Sequence, residues 1–182
     1  MEILIGKDRL LEMSTTFRHN ELTSAFNASL ARDFWDLIIS KKMFKFQESI
    51  GLAYETNPLS LIDVSGGNYE EIDAEFLHLS EYIQPDFMLF HENKCAKFDD
   101  IKTVAGCPDL IVEVWSKTNT KKHRNFKFTI YSSSPTTEHW YLEQDSNIVE
   151  CYLGQTQLPK QDISQTLVTT RNLQFDLTYL AL

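Results

Sequence analysis

One apolar strand that carries a carboxylate constrains the fold of this chain more than any other feature. Residues 110–115 have the sequence Leu-Ile-Val-Glu-Val-Trp and follow a Gly-Cys-Pro break. A short run of β-branched and apolar residues is typical of a central strand that is covered on both faces. Glutamate is rarely buried without a partner, because removing its charge from water costs several kcal/mol. We therefore expect a metal ion or a lysine to contact Glu113.

The composition is typical of a globular protein that forms one domain. The chain has 182 residues, of which 42% are hydrophobic and 24% charged, so we predict a single domain over residues 1–182. No apolar run approaches the roughly 20 residues that cross a bilayer, and the N-terminus lacks a signal-peptide pattern. We therefore expect no membrane association and a cytoplasmic location. The three cysteines form no CxxC pair, and we expect them to be reduced.

The charge distribution excludes broad adhesion to nucleic acid but leaves room for a local site. The net charge is −9, and nucleic acid is itself anionic. One segment between Ser116 and Thr137 has no acidic residue and carries five basic ones, namely Lys117, Lys121, Lys122, Arg124 and Lys127. Such runs are usually a solvated helix face. The position of this run, directly after the Glu113 strand, favours a role in binding a DNA backbone.

Hydrophobic spacing predicts the order of the remaining elements. Residues 1–13 fit a short hairpin, and residues 20–39 fit a helix with Asn20 as a possible cap. His19 stands at the start of that helix, where a cap or surface role is more common than a ligand role. Strands are expected within residues 45–64, 83–90, 139–143, 148–153 and 167–182, a helix at 121–132, and a polar loop at 91–106.

Three charged residues are expected to meet at the Glu113 strand. Asp86 precedes an apolar run, where it could simply cap a turn, but a returning loop could set its strand beside that of Glu113. On the helix after the strand, Lys127 lies in a row with His123 and Tyr131 at a spacing of four residues. Two adjacent carboxylates repel each other unless a cation binds both, and oxygen ligands favour Mg²⁺ or Mn²⁺. Such an ion with a nearby lysine is suited to phosphodiester hydrolysis.

Four sequence blocks resemble the Uma family of candidate endonucleases within the PD-(D/E)XK nuclease superfamily. The blocks cover residues 84–87, 106–116, 127–131 and 139–153, and the resemblance extends over nearly the whole chain. It implies an α/β (α+β) fold with a restriction-endonuclease-like core. That core is a central mixed β-sheet flanked by helices, with an N-terminal hairpin and C-terminal antiparallel strands. The hairpin and His19 also match the outline of the family.

The resemblance implies a role for each residue of the central group. Asp86 and Glu113 would be the metal ligands, and Lys127 would replace the superfamily lysine, because Trp115 stands two residues after Glu113. Asp109 is a weaker candidate, since four residues along a strand place it roughly 13 Å from Glu113. The family usually has an acid at position 123, and often one at position 126, where this chain has His123 and Phe126.

Two functions follow from these observations. The first is a Mg²⁺- or Mn²⁺-dependent endonuclease that hydrolyses DNA, with catalytic Asp86, Glu113 and Lys127, and with His19, Asp109, His123 and Tyr131 as accessory candidates. The resemblance also suggests a homodimer, because cutting both strands takes two sites. The alternative is a catalytically silent nuclease-fold protein that binds nucleic acid or a protein partner, which the net charge and the residues at positions 123 and 126 favour.

Overall fold

The structure is a computed structural model that describes residues 2–5, 9–12, 17–33, 43–47, 50–64, 81–98 and 103–182. Within these ranges it contains two α-helices, α1 at Phe17–Asp33 and α2 at Lys121–Tyr131. The strands of the same ranges are, in chain order, β1 Glu2–Ile5, β2 Arg9–Glu12, β3 Met43–Gln47, β4 Gly51–Thr56, β5 Leu59–Leu61, β6 Glu81–Ile83, β7 Phe87–His91, β8 Cys95–Phe98, β9 Thr103–Gly106, β10 Leu110–Trp115, β11 Glu138–Glu143, β12 Ile148–Leu153, β13 Thr156–Gln157, β14 Gln161–Asp162, β15 Leu167–Val168 and β16 Gln174–Phe175. Short 3-10 turns lie at Glu92–Lys94 and Thr178–Leu180.

The largest sheet is mixed and has the Glu113 strand near its centre. Its order is β13-β12-β11-β10-β7-β3, and β14 also pairs with β12. Strand β10 runs parallel to β11 and antiparallel to β7, with Glu113 opposite Tyr141 in the parallel register. All six residues of β10 are buried, as expected for a strand covered on both faces.

The two faces of this sheet have separate hydrophobic cores because side chains alternate along β10. Leu110, Val112 and Val114 join the core beneath α1, where Phe26 packs against the rings of Phe87, Trp140 and Phe175. Ile111 and Trp115 join the opposite core, which includes Ile130 and Tyr131 of α2. Glu113 lies between Ile111 and Trp115, and therefore faces α2.

A second sheet packs on the α2 side. Its order is β5-β4-β9-β8, with β6 paired to β4, and Leu52, Tyr54 and Val104 contribute to the core that α2 shares. The ring of Tyr54 meets that of Phe126 edge to face, with 5.8 Å between centroids. This sheet and α2 together cover the face that carries Glu113.

The predicted mixed α+β class, the N-terminal hairpin β1–β2 and the C-terminal antiparallel strands are confirmed. The helix predicted at residues 20–39 begins earlier, at Phe17, and the part of that prediction beyond residue 33 lies outside the described residues. The polar loop predicted at residues 91–106 is wrong, because the segment forms β8 and β9, which pair with each other. Each strand has only four residues, so the alternation of side chains along it is too short to identify a strand. The charged residues between the two strands also made the segment resemble a loop.

Among the described residues, no helix is long and apolar enough to cross a membrane. The three cysteines are free thiols, as predicted.

Candidate active site

Asp86 lies beside the Glu113 strand. The pairing of β7 with β10 ends at Phe87 and Val112, and one further step of this antiparallel register sets Asp86 opposite Glu113. Oδ2 of Asp86 accepts a hydrogen bond from the backbone N–H of Val114 at 2.6 Å. The carboxylate thus bonds to β10 just before the first residue of β7. Both carboxylates are buried, with 3% of Asp86 and none of Glu113 exposed. The expected convergence of these two residues is therefore present.

Helix α2 supplies both partners of the Glu113 carboxylate. Nζ of Lys127 donates to Oε2 at 2.9 Å, and the hydroxyl of Tyr131 donates to Oε1 at 2.5 Å. Lys127 also donates to the carbonyl oxygen of Gln84 at 3.2 Å, close to Asp86 in the chain. Residues 127 and 131 are one helical turn apart, so both side chains reach the same strand. The cation that Glu113 requires is thus Lys127.

Two carboxylates and one ammonium meet in this cluster. The side chains of Asp86, Glu113 and Lys127 are all buried. The pKa of the Tyr131 phenol is raised well above its ordinary value by burial, by the Glu113 carboxylate and its hydrogen bond, and by the charge of Asp86. Tyr131 therefore remains protonated at neutral pH and acts as a hydrogen-bond donor.

His19 joins the cluster from the other face of the sheet. It lies in the first turns of α1 and is 1% exposed, and its Nε2 is 3.2 Å from Oδ2 of Asp86. A histidine at a helix start could have been a surface cap. Its burial against Asp86 could not be inferred from its position in the sequence.

His123 borders the cluster on the Lys127 side. It occupies the helix row of Lys127 and Tyr131, and burial followed by the positive charge of Lys127 lowers its pKa. Nζ of Lys127 also lies 5.6 Å from the ring centroid of Trp115, which stands two residues after Glu113. The ammonium therefore lies above an aromatic face.

Asp109 belongs to a different cluster at the opposite end of β10. Its Oδ2 accepts the backbone N–H of His91 at 2.6 Å and lies 2.9 Å from Nδ1 of that ring. Its Oδ1 is 3.0 Å from Nζ of Lys94 and contacts the guanidinium of Arg171. Burial, and then the charge of Arg171, lowers the pKa of Lys94. Neither Lys94 nor Arg171 was singled out from the sequence, because neither is a neighbour of Asp109 along the chain.

The basic residues that follow β10 have unequal environments. Lys121 and Lys122 are exposed at the start of α2, and Lys117 is exposed and pairs with Asp145 at 3.0 Å. Arg124 pairs with Glu143, donates to the carbonyl oxygens of Ser116 and Asn119, and lies 5.3 Å over the Trp115 ring. Arg124 is therefore tied to the fold, whereas the lysines extend into solvent.

The donor chemistry of the Glu113 cluster fits a hard divalent cation. Asp86 and Glu113 offer carboxylate oxygens, and Mg²⁺ is usually held by one or two carboxylates together with water and substrate phosphate. Within the described ranges, no three side chains of His, Cys, Asp or Glu converge to form a complete cage. A cation here would therefore rely on ligands that the substrate and solvent provide.

The mixed sheet flanked by helices is a restriction-endonuclease-like fold, and the comparisons with known proteins agree. The chain belongs to the Uma2 family, described as "Putative restriction endonuclease", whose model matches residues 71–179. It is also similar to the crystal structure of "a putative nuclease belonging to DUF820" from Anabaena variabilis ATCC 29413. The TM-score is 0.64 at 11% sequence identity, covering 97% of this chain and 89% of that one. No curated protein matches the sequence.

Proposed function

We propose that the protein is a Mg²⁺- or Mn²⁺-dependent endonuclease that hydrolyses phosphodiester bonds in DNA. The observation that carries this proposal is the buried cluster in which two carboxylates, Asp86 and Glu113, converge beside one ammonium, Lys127. Burying two carboxylates side by side is costly, and such groups concentrate at functional sites, where they can bind a cation. The family description, "Putative restriction endonuclease", supports the nuclease part of this proposal.

Each residue of the cluster has a role in this mechanism. Asp86 and Glu113 would hold the cation, which when bound activates a water nucleophile and neutralises charge on the phosphoryl group. Lys127 keeps Glu113 in place and sets a positive charge where negative charge develops as water attacks phosphorus and the bond to the leaving oxygen breaks. Tyr131 holds the second oxygen of Glu113, and His19 contacts Asp86.

The exposed lysines provide the first contacts with DNA. Lys117, Lys121 and Lys122 lie at the surface next to the end of β10, where they would attract the phosphate backbone and orient it without reading bases. Arg124 would act indirectly, because its pairing with Glu143 fixes the start of α2. Cleavage of both strands of a duplex would require two copies of the site, which a homodimer supplies.

Cleavage of supercoiled plasmid in Mg²⁺ or Mn²⁺ tests this function. We expect Asp86→Asn, Glu113→Gln and Lys127→Met to lower the cleavage rate by about 100-fold or more, because each removes a charge that acts on the phosphoryl group. Asparagine at position 86 still offers an oxygen to the Val114 N–H. Near-UV circular dichroism checks that each variant is folded.

Two matched controls are available for this assay. Glu55→Gln changes an exposed carboxylate on the second sheet, and Lys94→Met changes a lysine paired to the other buried carboxylate of β10. Both should cleave at the parental rate. The mechanism is wrong if Glu113→Gln and Lys127→Met are folded and cleave as fast as the parent.

One observation favours the catalytically silent alternative. Lys127 and Tyr131 occupy both oxygens of Glu113, and the whole cluster is buried. If the ammonium and the phenol already satisfy Glu113, the protein would bind nucleic acid or a partner without cleaving it. Calorimetric titration with Mn²⁺ separates the two functions, because binding that Asp86→Asn abolishes supports the enzyme and absence of binding supports the silent protein.

A further inference from the structure

A cavity with aromatic walls opens beside the Glu113 cluster. It has a volume of about 430 Å³ and lies between α2 and the outer strands β11 and β12. Its aromatic lining comprises Trp115, Phe128, Tyr141 and Tyr152. Trp115 and Tyr141 are almost fully buried, at 4% and 6% exposure, whereas Phe128 and Tyr152 are partly exposed at the rim. The cavity is thus a slot with an aromatic floor that solvent can reach.

Two of the rings belong to the core on the α2 side, and two pack against that core at the rim of the slot. Trp115 and Tyr141 stack with 5.4 Å between centroids and an interplanar angle of 8°. Phe128 meets Tyr152 edge to face at 5.1 Å and 84°. Aromatic side chains at a partly exposed site are the surfaces on which unpaired bases stack.

The charged groups around the slot are balanced in two ion pairs. Arg124 pairs with Glu143, and Nζ of Lys160 is 2.6 Å from Oε1 of Glu150. The exposed side chain of Asn125 adds an amide. Such a lining gives no excess positive charge for a phosphate, but it offers donors and acceptors to the edge of an uncharged planar ring. A nucleobase has this combination of flat faces and a polar edge.

The slot is also adjacent to the proposed metal site. Trp115 follows Glu113 by two residues on the same face of β10, about 6.6 Å along the strand. Lys127 links the two places, because its Nζ donates to Glu113 and lies 5.6 Å from the centroid of Trp115. A nucleotide with its phosphate near Glu113 could therefore place its base in the slot, against the partly exposed rings of Phe128 and Tyr152. In a duplex that base is paired and stacked, so it would have to be unpaired or flipped out.

We infer that this slot binds one unpaired nucleobase next to the phosphate to be cut, which makes single-stranded or locally opened DNA the preferred substrate. The inference rests on the proposed function for the identity of the neighbouring site. It predicts a preference for unpaired bases through stacking, without dependence on a particular base sequence.

Binding to the full-length protein tests the inference without any cleavage. Labelled thymidine decamers, a duplex of equal length and an abasic decamer are titrated in EDTA, and fluorescence anisotropy reports affinity. We expect Phe128→Ala and Tyr152→Ala to weaken binding of the thymidine decamer by about tenfold, since each removes a stacking surface. Binding of the abasic decamer should not change. Tyr152→Phe, which keeps the ring, should bind as the parent does.

Tyr179→Ala is the matched control, because Tyr179 is an aromatic side chain that is 67% exposed outside the slot. Quenching of Trp115 fluorescence by the thymidine decamer, absent in Trp115→Phe, provides a second readout in a folded protein. Equal binding by the parent, Phe128→Ala and Tyr152→Ala overturns the inference, as does a parent that binds the abasic decamer as tightly as the thymidine decamer.

The outcome is separable from that of the proposed function. If the parent cleaves plasmid but its binding of the thymidine decamer does not depend on Phe128 or Tyr152, only the base-binding slot is overturned. If the parent binds the thymidine decamer through the slot but does not cleave DNA, the slot stands and the endonuclease function is wrong.

Discussion

Two buried carboxylates lie along one segment, Asp109 just before β10 and Glu113 within it, and they have different partners. Glu113 is 0% exposed and Asp109 is 3% exposed. Glu113 has its ammonium and its phenol from one helix, α2. Asp109 instead receives basic groups from His91, Lys94 and Arg171, which come from two distant parts of the chain.

Charge balance separates the two clusters. At Asp109, Lys94 and Arg171 are two cations, and Asp63 adds a second negative charge that acts on Lys94. At Glu113, the neighbouring Asp86 leaves two carboxylates with one ammonium. The basic partners of Asp109 are also partly exposed, whereas Lys127 is buried with 2% of its side chain exposed.

This difference favours the Glu113 cluster as the candidate active site. The network of Asp109 joins the segment around Arg171 to the sheet. Carboxylates that are buried side by side carry a cost, and such groups concentrate at functional sites. We therefore expect Asp109, one of the accessory candidates, to have a structural role.

The largest contrast should be seen in stability. Lys127→Met leaves Glu113 buried without its cation, and we expect a loss of about 3–5 kcal/mol in the free energy of unfolding. Lys94→Met should cost about 1 kcal/mol, because Asp109 keeps Arg171 and His91 and the site is partly screened by solvent. Urea denaturation measures both values. The double variant Glu113→Gln/Lys127→Met should recover part of the loss, and equal losses in the two single variants would contradict the comparison.

Metal binding should distinguish the clusters next. We expect Asp86→Asn to lower the affinity for Mn²⁺ by at least about tenfold, because it removes one of two carboxylate ligands. Asp109→Asn, the matched change at the other end of β10, should leave the affinity unaltered. Isothermal titration calorimetry gives both affinities. If Mn²⁺ binding depends on Asp109 rather than on Asp86, the cation site lies in the Asp109 cluster, and the comparison is contradicted.

The smallest effect concerns the pKa of His123. Burial lowers this pKa below its ordinary value of 6.5, and the positive charge of Lys127 lowers it further. Removing that charge in Lys127→Met should therefore raise the pKa of His123, although burial keeps it depressed. Lys94→Met should leave it unchanged. Titration of the histidine ring signals by NMR measures the shift, and an unaltered His123 in Lys127→Met would mean that the two side chains do not interact.

Several parts of the fold and site were predictable from local patterns. The apolar run around Glu113 indicated a strand buried on both faces, and helical spacing placed Lys127 and Tyr131 on one side of α2. The short turn Asp145-Ser-Asn147 indicated the hairpin of β11 and β12. These features depend on residues that are close in sequence, so periodicity and turn chemistry suffice to identify them.

Other parts depended on contacts between distant segments. Asp86 precedes an apolar strand, and only the register of β7 on β10 sets it opposite Glu113. The pairing of β8 with β9 was hidden because strands of four residues give a weak signal. The contacts of Arg171 with Asp109 and of His19 with Asp86 join segments that are more than 60 residues apart.

The sequence alone determined that Glu113 would be buried and would require a cation, because its apolar neighbours allow no exposed face and an unpaired charge is too costly there. Tertiary structure decided which groups meet that requirement. It paired the carboxylate with Lys127 and Tyr131, added Asp86 and His19 around it, and gave Asp109 a separate set of basic partners. The physical reason is that burial follows from local composition, whereas the balance of charge in a cluster depends on strand register and on the direction of each helix.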